Sequence, residues 1–264
     1  MNLNKIDAST QINPLAKEIK LGFESNQQQK AVLLLHGFGG KSSNWKYTAE
    51  RINKTLNVPV YIPRLPGHGT NINDFLNSNA DQWLRKAVDS YLYLKSDFQE
   101  IYLAGLSMGG LLAALIASKF EVKKLSLVAP AFFTKNKKLV FTPYIKHFIK
   151  KLDKNFKLDK EKLTEAEIDF HKNYSCNYYT KALAELYKLI KKSRQAAAEI
   201  KTETQLILST NDQQVETNEI KSFLNKNMGQ FLVDQKIYHK SSHVIINEQE
   251  KEKCAQDIIE FFCK

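Results

Sequence analysis

What this chain lacks narrows it first. No apolar run approaches the roughly 20 residues a helix needs to cross a bilayer, and the polar opening Met1-Asn2-Leu3-Asn4-Lys5 has no apolar segment of the secretory kind. The expectation is a cytoplasmic protein without stable membrane attachment. Cysteine is sparse. Cys176, Cys254 and Cys263 are odd in number and fall in no metal-ligand spacing, so reduced structural thiols are expected and no metal. Arginine, the better reader of bases and phosphates, supplies only 4 of the 39 basic residues. The formal charge of +11 is therefore mostly lysine. It is concentrated between Ala131 and Glu203, where 17 Lys+Arg face 9 Asp+Glu, a net of +8, leaving +3 for the rest. A solvated lysine surface is expected there, with no nucleic-acid partner. Internal repeats and low-complexity linkers are also missing, and Gln27-Gln28-Gln29 reads as an exposed turn.

Nucleotide motifs fail as well. The stretch Ala31–Ser42, AVLLLHGFGGKS, ends in the GKS of a phosphate-binding P-loop, but the glycine required five positions before Gly40 is Leu35. The dinucleotide pattern GxGxxG breaks at Ser42, which stands where its last glycine belongs. No organic cofactor is expected, and the glycine-rich turn must serve some other anion.

What is present is a core-forming composition, 43% hydrophobic over 264 residues, suited to one large domain or a domain with an insertion. Strands are expected at Ala16–Phe23, Ala31–His36 and Val58–Pro63. A helix over Asn44–Leu56 has Ser43 or Asn44 as its cap. Asp81–Lys95 spaces Leu84, Val88, Tyr91 and Leu92 as one helical stripe with Trp83 beside it. Strand Ile101–Ala104, helix Met108–Lys119 and strand Val122–Ala129 follow. After Pro130 the alternation stops, and Ala131–Ile200 reads as helix-rich, without a convincing buried strand. Alternation resumes with Thr204–Ser209, helix Val215–Asn227, strand Phe231–Tyr238 and helix Gln249–Phe262. This is the pattern of an α/β domain with a mostly parallel sheet, formed by 1–130 and 201–264 and interrupted by a helical insertion at 131–200.

At Gly105-Leu106-Ser107-Met108-Gly109 a strand meets a helix through G-x-S-x-G. Such a sharp junction strains the serine backbone and lifts the hydroxyl clear of the sheet, while a Cβ at either flanking glycine would collide with its neighbours. Ser107 is the candidate nucleophile. An ester it attacked would pass through a tetrahedral oxyanion, which needs preorganised donors. The N–H groups of Phe38, in the glycine-rich turn, and Met108, at the start of the helix, occupy the two places for them. A plain chain reversal at HGFGG is also compatible with the sequence.

Serine needs a general base, and histidine is the usual one. Of the six, His36 precedes the glycine-rich turn, His68 lies in Pro66-Gly67-His68-Gly69, His147 and His171 lie in the insertion, and His239 ends a strand. His243 falls in the loop between the last strand and the last helix, the position required by the chain order Ser, acid, His. Asp212, ending the run that starts at Leu206, is the acid that orients it. Its other reading is a helix cap, and its rivals are Asp234, within a strand, and Glu216, at a helix start.

LLLHGFGG, PRLPGHGT, AGLSMGG, the Asp212 turn and SSHVIINEQEKEK together resemble the α/β-hydrolase fold, and within it the bacterial carboxylesterases of the monoacylglycerol-lipase type. The likeness spans about Lys30 to Phe262 and is poor through the insertion. Ser242 departs from relatives that often carry glycine before the histidine. The resemblance implies a serine esterase acting on short- to medium-chain carboxylic esters or monoacylglycerols through an acyl-enzyme. Its triad would be Ser107, Asp212 and His243, its oxyanion donors Phe38 and Met108, and its insertion a cap over an acyl pocket. Phe132, Phe133, Leu139 and Phe141 are candidates to line that pocket or to be ordinary packing between cap and core. The expected partner is a small ester or lipid-like substrate, and a homodimer is compatible. The alternatives are a thioesterase or acyltransferase with the same triad, or a non-catalytic basic binding protein on this scaffold.

Overall fold

The computed structural model describes residues 10–24, 29–153, 163–174 and 177–264. The opening residues Met1 to Lys5, Gln27, Gln28 and Cys176, named above, lie outside them. One sheet is built from seven strands: β1 Ile19–Leu21, β2 Lys30–Leu35, β3 Val60–Ile62, β4 Glu100–Leu106, β5 Lys124–Val128, β8 Thr204–Ser209 and β9 Leu232–Tyr238. Their spatial order is β1-β3-β2-β4-β5-β8-β9. Only β1 runs antiparallel to its neighbour; every other pairing in this sheet is parallel. Parallel strands covered on both faces need apolar residues throughout, and β2, β4, β5 and β8 are buried along nearly their whole length.

The flanking helices are α1 Lys46–Leu56, α2 Ile72–Asn77, α3 Ala80–Lys95, α4 Met108–Ala117, α8 Thr217–Met228 and α9 Lys251–Cys263. All of α4 except Leu115 is buried, which explains why MGGLLAALIA has no polar face. Two details depart from the sequence expectation. A 3-10 turn, Ser42–Trp45, precedes α1 and replaces the expected cap; Asn44 instead accepts from the Lys41 N–H at 2.9 Å. In α3 the buried stripe runs through Trp83, Ala87, Tyr91 and Leu94, while Leu92 is 45% exposed. The rotation follows the Trp83 indole, which donates to Pro66 O at 3.1 Å and Ser78 Oγ at 3.0 Å and so turns its own face inward. Helix α2 adds to the expected elements; Asn71 caps it by accepting from the Asp74 N–H.

Between β5 and β8 the chain leaves the sheet. The described part of this stretch holds a 3-10 turn Lys137–Phe141 running into α5 Thr142–Ile145, then α6 Glu165–Tyr174 and the long α7 Thr180–Ala196. It also holds a short antiparallel ladder, β6 Lys151–Asp153 with β7 Asn177–Tyr179, which the sequence reading does not anticipate. Helix α7 packs on α4, the helix that follows the serine elbow, and on α5. Cys254 is buried and Cys263 exposed, and both are free thiols. No helix among the described residues is long and apolar enough to cross a membrane.

Candidate active site

Ser107 sits between β4 and α4 with φ 56° and ψ −116°, a conformation that L-residues rarely adopt. The strain is held from both sides. Ser107 N–H donates to Val128 O at 2.9 Å, and Ser107 O accepts from Ala131 N at 3.2 Å, tying the elbow to the end of β5. The flanking glycines are explained by contact. A Cβ on Gly105 would lie 2.2 Å from Gly109 O, and one on Gly109 would lie 2.1 Å from Leu35 O.

The glycine-rich turn after β2 comes directly against this serine: a Cβ on Gly37 would be 3.2 Å from Ser107 Cβ and 3.7 Å from its Oγ. Gly39 needs glycine for a different reason, its φ of 61°, since a Cβ there would meet nothing closer than 3.7 Å. The Phe38 ring packs against Phe75 and Trp83, at centroid distances of 5.2 and 5.9 Å, which fixes its backbone. Among the described residues the N–H groups of Phe38 and Met108 find no acceptor within the protein.

Asp212, in the turn after β8, and His243, after β9, are both buried and meet at 2.6 Å between Oδ2 and Nδ1. Asp212 does not cap the following helix, whose N-cap is Glu216. Its Oδ1 instead accepts from the N–H groups of Gln214 at 2.7 Å and Val215 at 3.0 Å within the turn, while Oδ2 is left for the histidine. Burial alone would push this carboxyl up. The His243 hydrogen bond and charge, with the two backbone donors, outweigh it and hold Asp212 below the usual carboxylate range. The rivals are occupied elsewhere: Asp234 accepts from Gln205 Nε2 at 2.8 Å, and Glu216 pairs with Lys137 at 3.4 Å.

Ser107 and His243 line one cavity of about 480 Å³, together with Phe38, Leu139, Leu183 and Leu186. Of the four insertion residues singled out in the sequence, only Leu139 lines it. Phe132 is fully buried, Phe133 lies under Arg194 and against Phe223, and Phe141 is 59% exposed. Polar side chains join the wall as well, including Lys41, whose ammonium sits 4.9 Å from the Phe170 ring centroid.

Several residues that hold this geometry carry no sequence signal of their role. Glu248 accepts from the backbone N–H groups of Ser242 and Val244, on either side of His243. Glu250 accepts from Lys240 N at 2.9 Å and Ser241 N at 2.8 Å. These two carboxylates fix the histidine loop, and Ser242 needs no positive φ in it, so its departure from glycine is harmless. Both stand in the SSHVIINEQEKEK stretch, but nothing in their spacing announces that they fold back on the loop. His36 and His68 brace the other side. His68 Nε2 accepts from the Gly39 N–H at 3.1 Å and its Nδ1 meets Pro66 O at 3.0 Å; His36 Nε2 accepts from Leu65 N at 3.3 Å. Complete burial drives both rings toward the neutral form, His36 down to about 4 and His68 well below its ordinary value. Each is a neutral acceptor at working pH.

A seven-stranded, mostly parallel sheet with a serine elbow after β4, an acid after β8 and a histidine after β9 defines an α/β-hydrolase. More narrowly, the family model of the serine aminopeptidases, S33, matches residues 26–250, and the chain belongs to this family. It is similar to a carboxylesterase of Bacillus subtilis (strain 168), 24% identical over 236 residues that cover 89% of this chain and 93% of that one. It is also similar to a thermostable monoacylglycerol lipase of Bacillus sp. (strain H-257), 38% identical over 86 residues, 33% of this chain and 34% of that one. Among solved structures, one from the work on LipS and LipT, two metagenome-derived lipolytic enzymes, superposes with a TM-score of 0.80 at 20% identity, covering 96% of this chain and 99% of that one. The monoacylglycerol lipase of Paleococcus ferrophilus superposes with a TM-score of 0.67 at 18% identity, covering 92% and 96%.

Proposed function

We propose that this protein is a serine hydrolase of the esterase and lipase type that cleaves carboxylic esters, with Ser107, His243 and Asp212 as its triad. The observation that carries the reading is the 2.6 Å bond from His243 to a buried Asp212 carboxylate, beside a serine held at positive φ on the same cavity. With Nδ1–H donated to Asp212, the imidazole has Nε2 left to take the proton of Ser107 Oγ. The oxygen attacks the ester carbonyl, and the resulting oxyanion lies between the N–H groups of Phe38 and Met108. As the tetrahedral adduct collapses, His243 returns the proton to the departing alcohol and leaves an acyl-enzyme. Water, deprotonated by the same imidazole, then releases the acid and regenerates Ser107.

The stretch 131–200 acts as a cap in this reading. Leu139, Leu183 and Leu186 form an apolar roof for the acyl chain, and about 480 Å³ suits short to medium chains better than long ones. The test is hydrolysis of p-nitrophenyl esters of increasing chain length together with labelling by a fluorophosphonate. The wild type should turn over and label. Ser107→Ala should lose labelling and at least about 10⁴-fold in kcat. Wild-type turnover by Ser107→Ala would remove the nucleophile from the proposal.

A further inference from the structure

Of the nine large hydrophobic side chains that stand exposed among the described residues, five fall in one ten-residue stretch: Val140, Phe141, Tyr144, Phe148 and Ile149. Phe148 is 87% exposed and Tyr144 74%. Clustered exposed apolar side chains mark a surface that meets something other than water. The stretch is two-faced. Leu139 and Thr142 are buried, with Thr142 Oγ1 donating to Leu139 O at 2.6 Å, while Val140, Phe141, Tyr144 and Phe148 stand in solvent.

Within residues 135–151 every charged side chain is a lysine. Lys135, Lys138, Lys150 and Lys151 are exposed, Lys146 is half-buried, and among the described residues none of the five has a carboxylate partner. Elsewhere lysines are often paired, as Lys119 is with Glu199 and Lys192 with Asp81. Lys137, the paired member of this group, reaches to Glu216 and Glu219 at the start of α8. A merely solvated lysine surface, the sequence expectation, has no need of aromatics among its lysines. Exposed aromatic and aliphatic side chains interspersed along the chain with unpaired lysines match the interface of an anionic bilayer, where rings enter the headgroup layer and ammonium groups meet lipid charge.

We propose that the Val140–Lys151 surface docks this protein reversibly on anionic lipid membranes. Its placement gives the docking a use. Leu139 lines the cavity from the same turn that carries Val140 and Phe141, and α5 packs on α7, which supplies Leu183 and Leu186. The surface that enters the headgroup layer thus belongs to the elements that wall the cavity of Ser107. No helix is inserted, and attachment of this kind is weak and salt-sensitive.

The experiment is co-sedimentation of the full chain with vesicles of phosphatidylcholine alone or with about 30% phosphatidylglycerol, an anionic fraction ample for surface attraction, at low and high salt. Ser107→Ala is included because this inference does not depend on turnover. Binding is expected only with phosphatidylglycerol, at least about tenfold weaker at high salt and retained by Ser107→Ala. The triple variant Phe141→Ser, Tyr144→Ser, Phe148→Ser should bind at least about tenfold less, with circular dichroism and melting temperature showing that it is folded. Changing Lys135, Lys138, Lys150 and Lys151 together to Gln should remove the preference for phosphatidylglycerol. Absence of sedimentation with anionic vesicles overturns the proposal. Equal sedimentation of the folded triple variant does so too. A dimer in light scattering that the triple substitution dissolves, without vesicle binding, also overturns it, because the patch would then face a second copy of this chain.

Discussion

At the carboxyl ends of β4, β8 and β9 each group near Ser107 is fixed from several directions, whereas the segment 139–149 of the insertion is anchored on one side and exposed on the other. The serine backbone is pinned to the end of β5, its flanking glycines touch neighbouring backbone, the Asp212 carboxylate serves three donors, and the His243 loop hangs on Glu248 and Glu250. On the insertion, Leu139 and Thr142 are buried while Phe141, Tyr144 and Phe148 are exposed. The contrast separates two tasks. Chemistry requires placement to within a fraction of an ångström, and hence redundant constraint. Meeting a substrate requires surface, which can be exposed and still matter.

The largest expected effect comes from undoing that constraint electrically. Asp212→Asn keeps the side chain's outline but replaces the carboxylate by an amide that can present N–H to His243, so the imidazole takes the wrong tautomer. In the serine proteases this change lowers kcat by about 10⁴ with geometry intact, and a loss of that order is expected here for p-nitrophenyl butyrate turnover. A loss below about tenfold would break the comparison, because the most heavily bonded side chain of the site would then be dispensable.

The same asymmetry decides what was legible in the sequence. G-x-S-x-G, the HGFGG turn and the order Ser107, Asp212, His243 depend on local backbone shape and chain order, and both leave marks in letters. The alternating strands and helices were legible because parallel strands must be apolar throughout, as AVLLL and TQLILS nearly are. Of the expected stripe on α3, Tyr91 is buried and Leu84 and Val88 pack against the core, but Leu92 is exposed, because the Trp83 indole is drawn inward to Pro66 and Ser78, which periodicity does not encode. The bracing roles of Glu248, Glu250 and His68 leave no mark for the same reason: each acts on backbone N–H groups, which every sequence has. The β6–β7 ladder is too short to leave a periodic pattern, and Phe141 reads as pocket lining or cap–core packing until its exposure of 59% shows otherwise.

A paired substitution sharpens the comparison at the level of stability. Gly109→Ala adds one methyl group to a helix, where intrinsic propensity favours alanine by about 1 kcal/mol. Its Cβ, however, would lie 2.1 Å from Leu35 O and 2.7 Å from His36 O, both backbone atoms that cannot step aside singly. The clash wins, and a net destabilisation of about 4 kcal/mol is expected, at the upper end of what overpacking causes. Phe148→Ser removes a far larger side chain that is 87% exposed, and should change stability by no more than about 0.5 kcal/mol. Urea unfolding of both variants, read as midpoint at constant m, tests the pair. Equal losses would mean that the insertion is as tightly determined as the sheet end.

The next effect is expected from pH, and it also acts at the sheet end. His36 is neutral in the fold because burial lowers its pKa to about 4, while in the unfolded chain it titrates near its ordinary value of about 6.5. The unfolded state therefore binds more protons between those values, so stability is full above about 6.5 and declines as pH falls toward 4. A difference of that size corresponds to a loss on the order of 3 kcal/mol from this ring, and His68, lowered in the same direction, adds to it. The carboxylates of Asp212 and Glu250 are held below their ordinary range, so their loss begins at lower pH and leaves the upper part of the window to the histidines. Chemical unfolding at intervals between about pH 7 and 4, alongside an NMR titration of the His36 ring, separates the contributions. A His36 ring that titrates near about 6.5 in the folded protein, with flat stability down to about pH 5, would show that burial does not hold His36 neutral beside the turn carrying Phe38. The turn would then rest on His68, on the Gly40 N–H bond to Gly37 O at 3.0 Å and on the Phe75 and Trp83 rings.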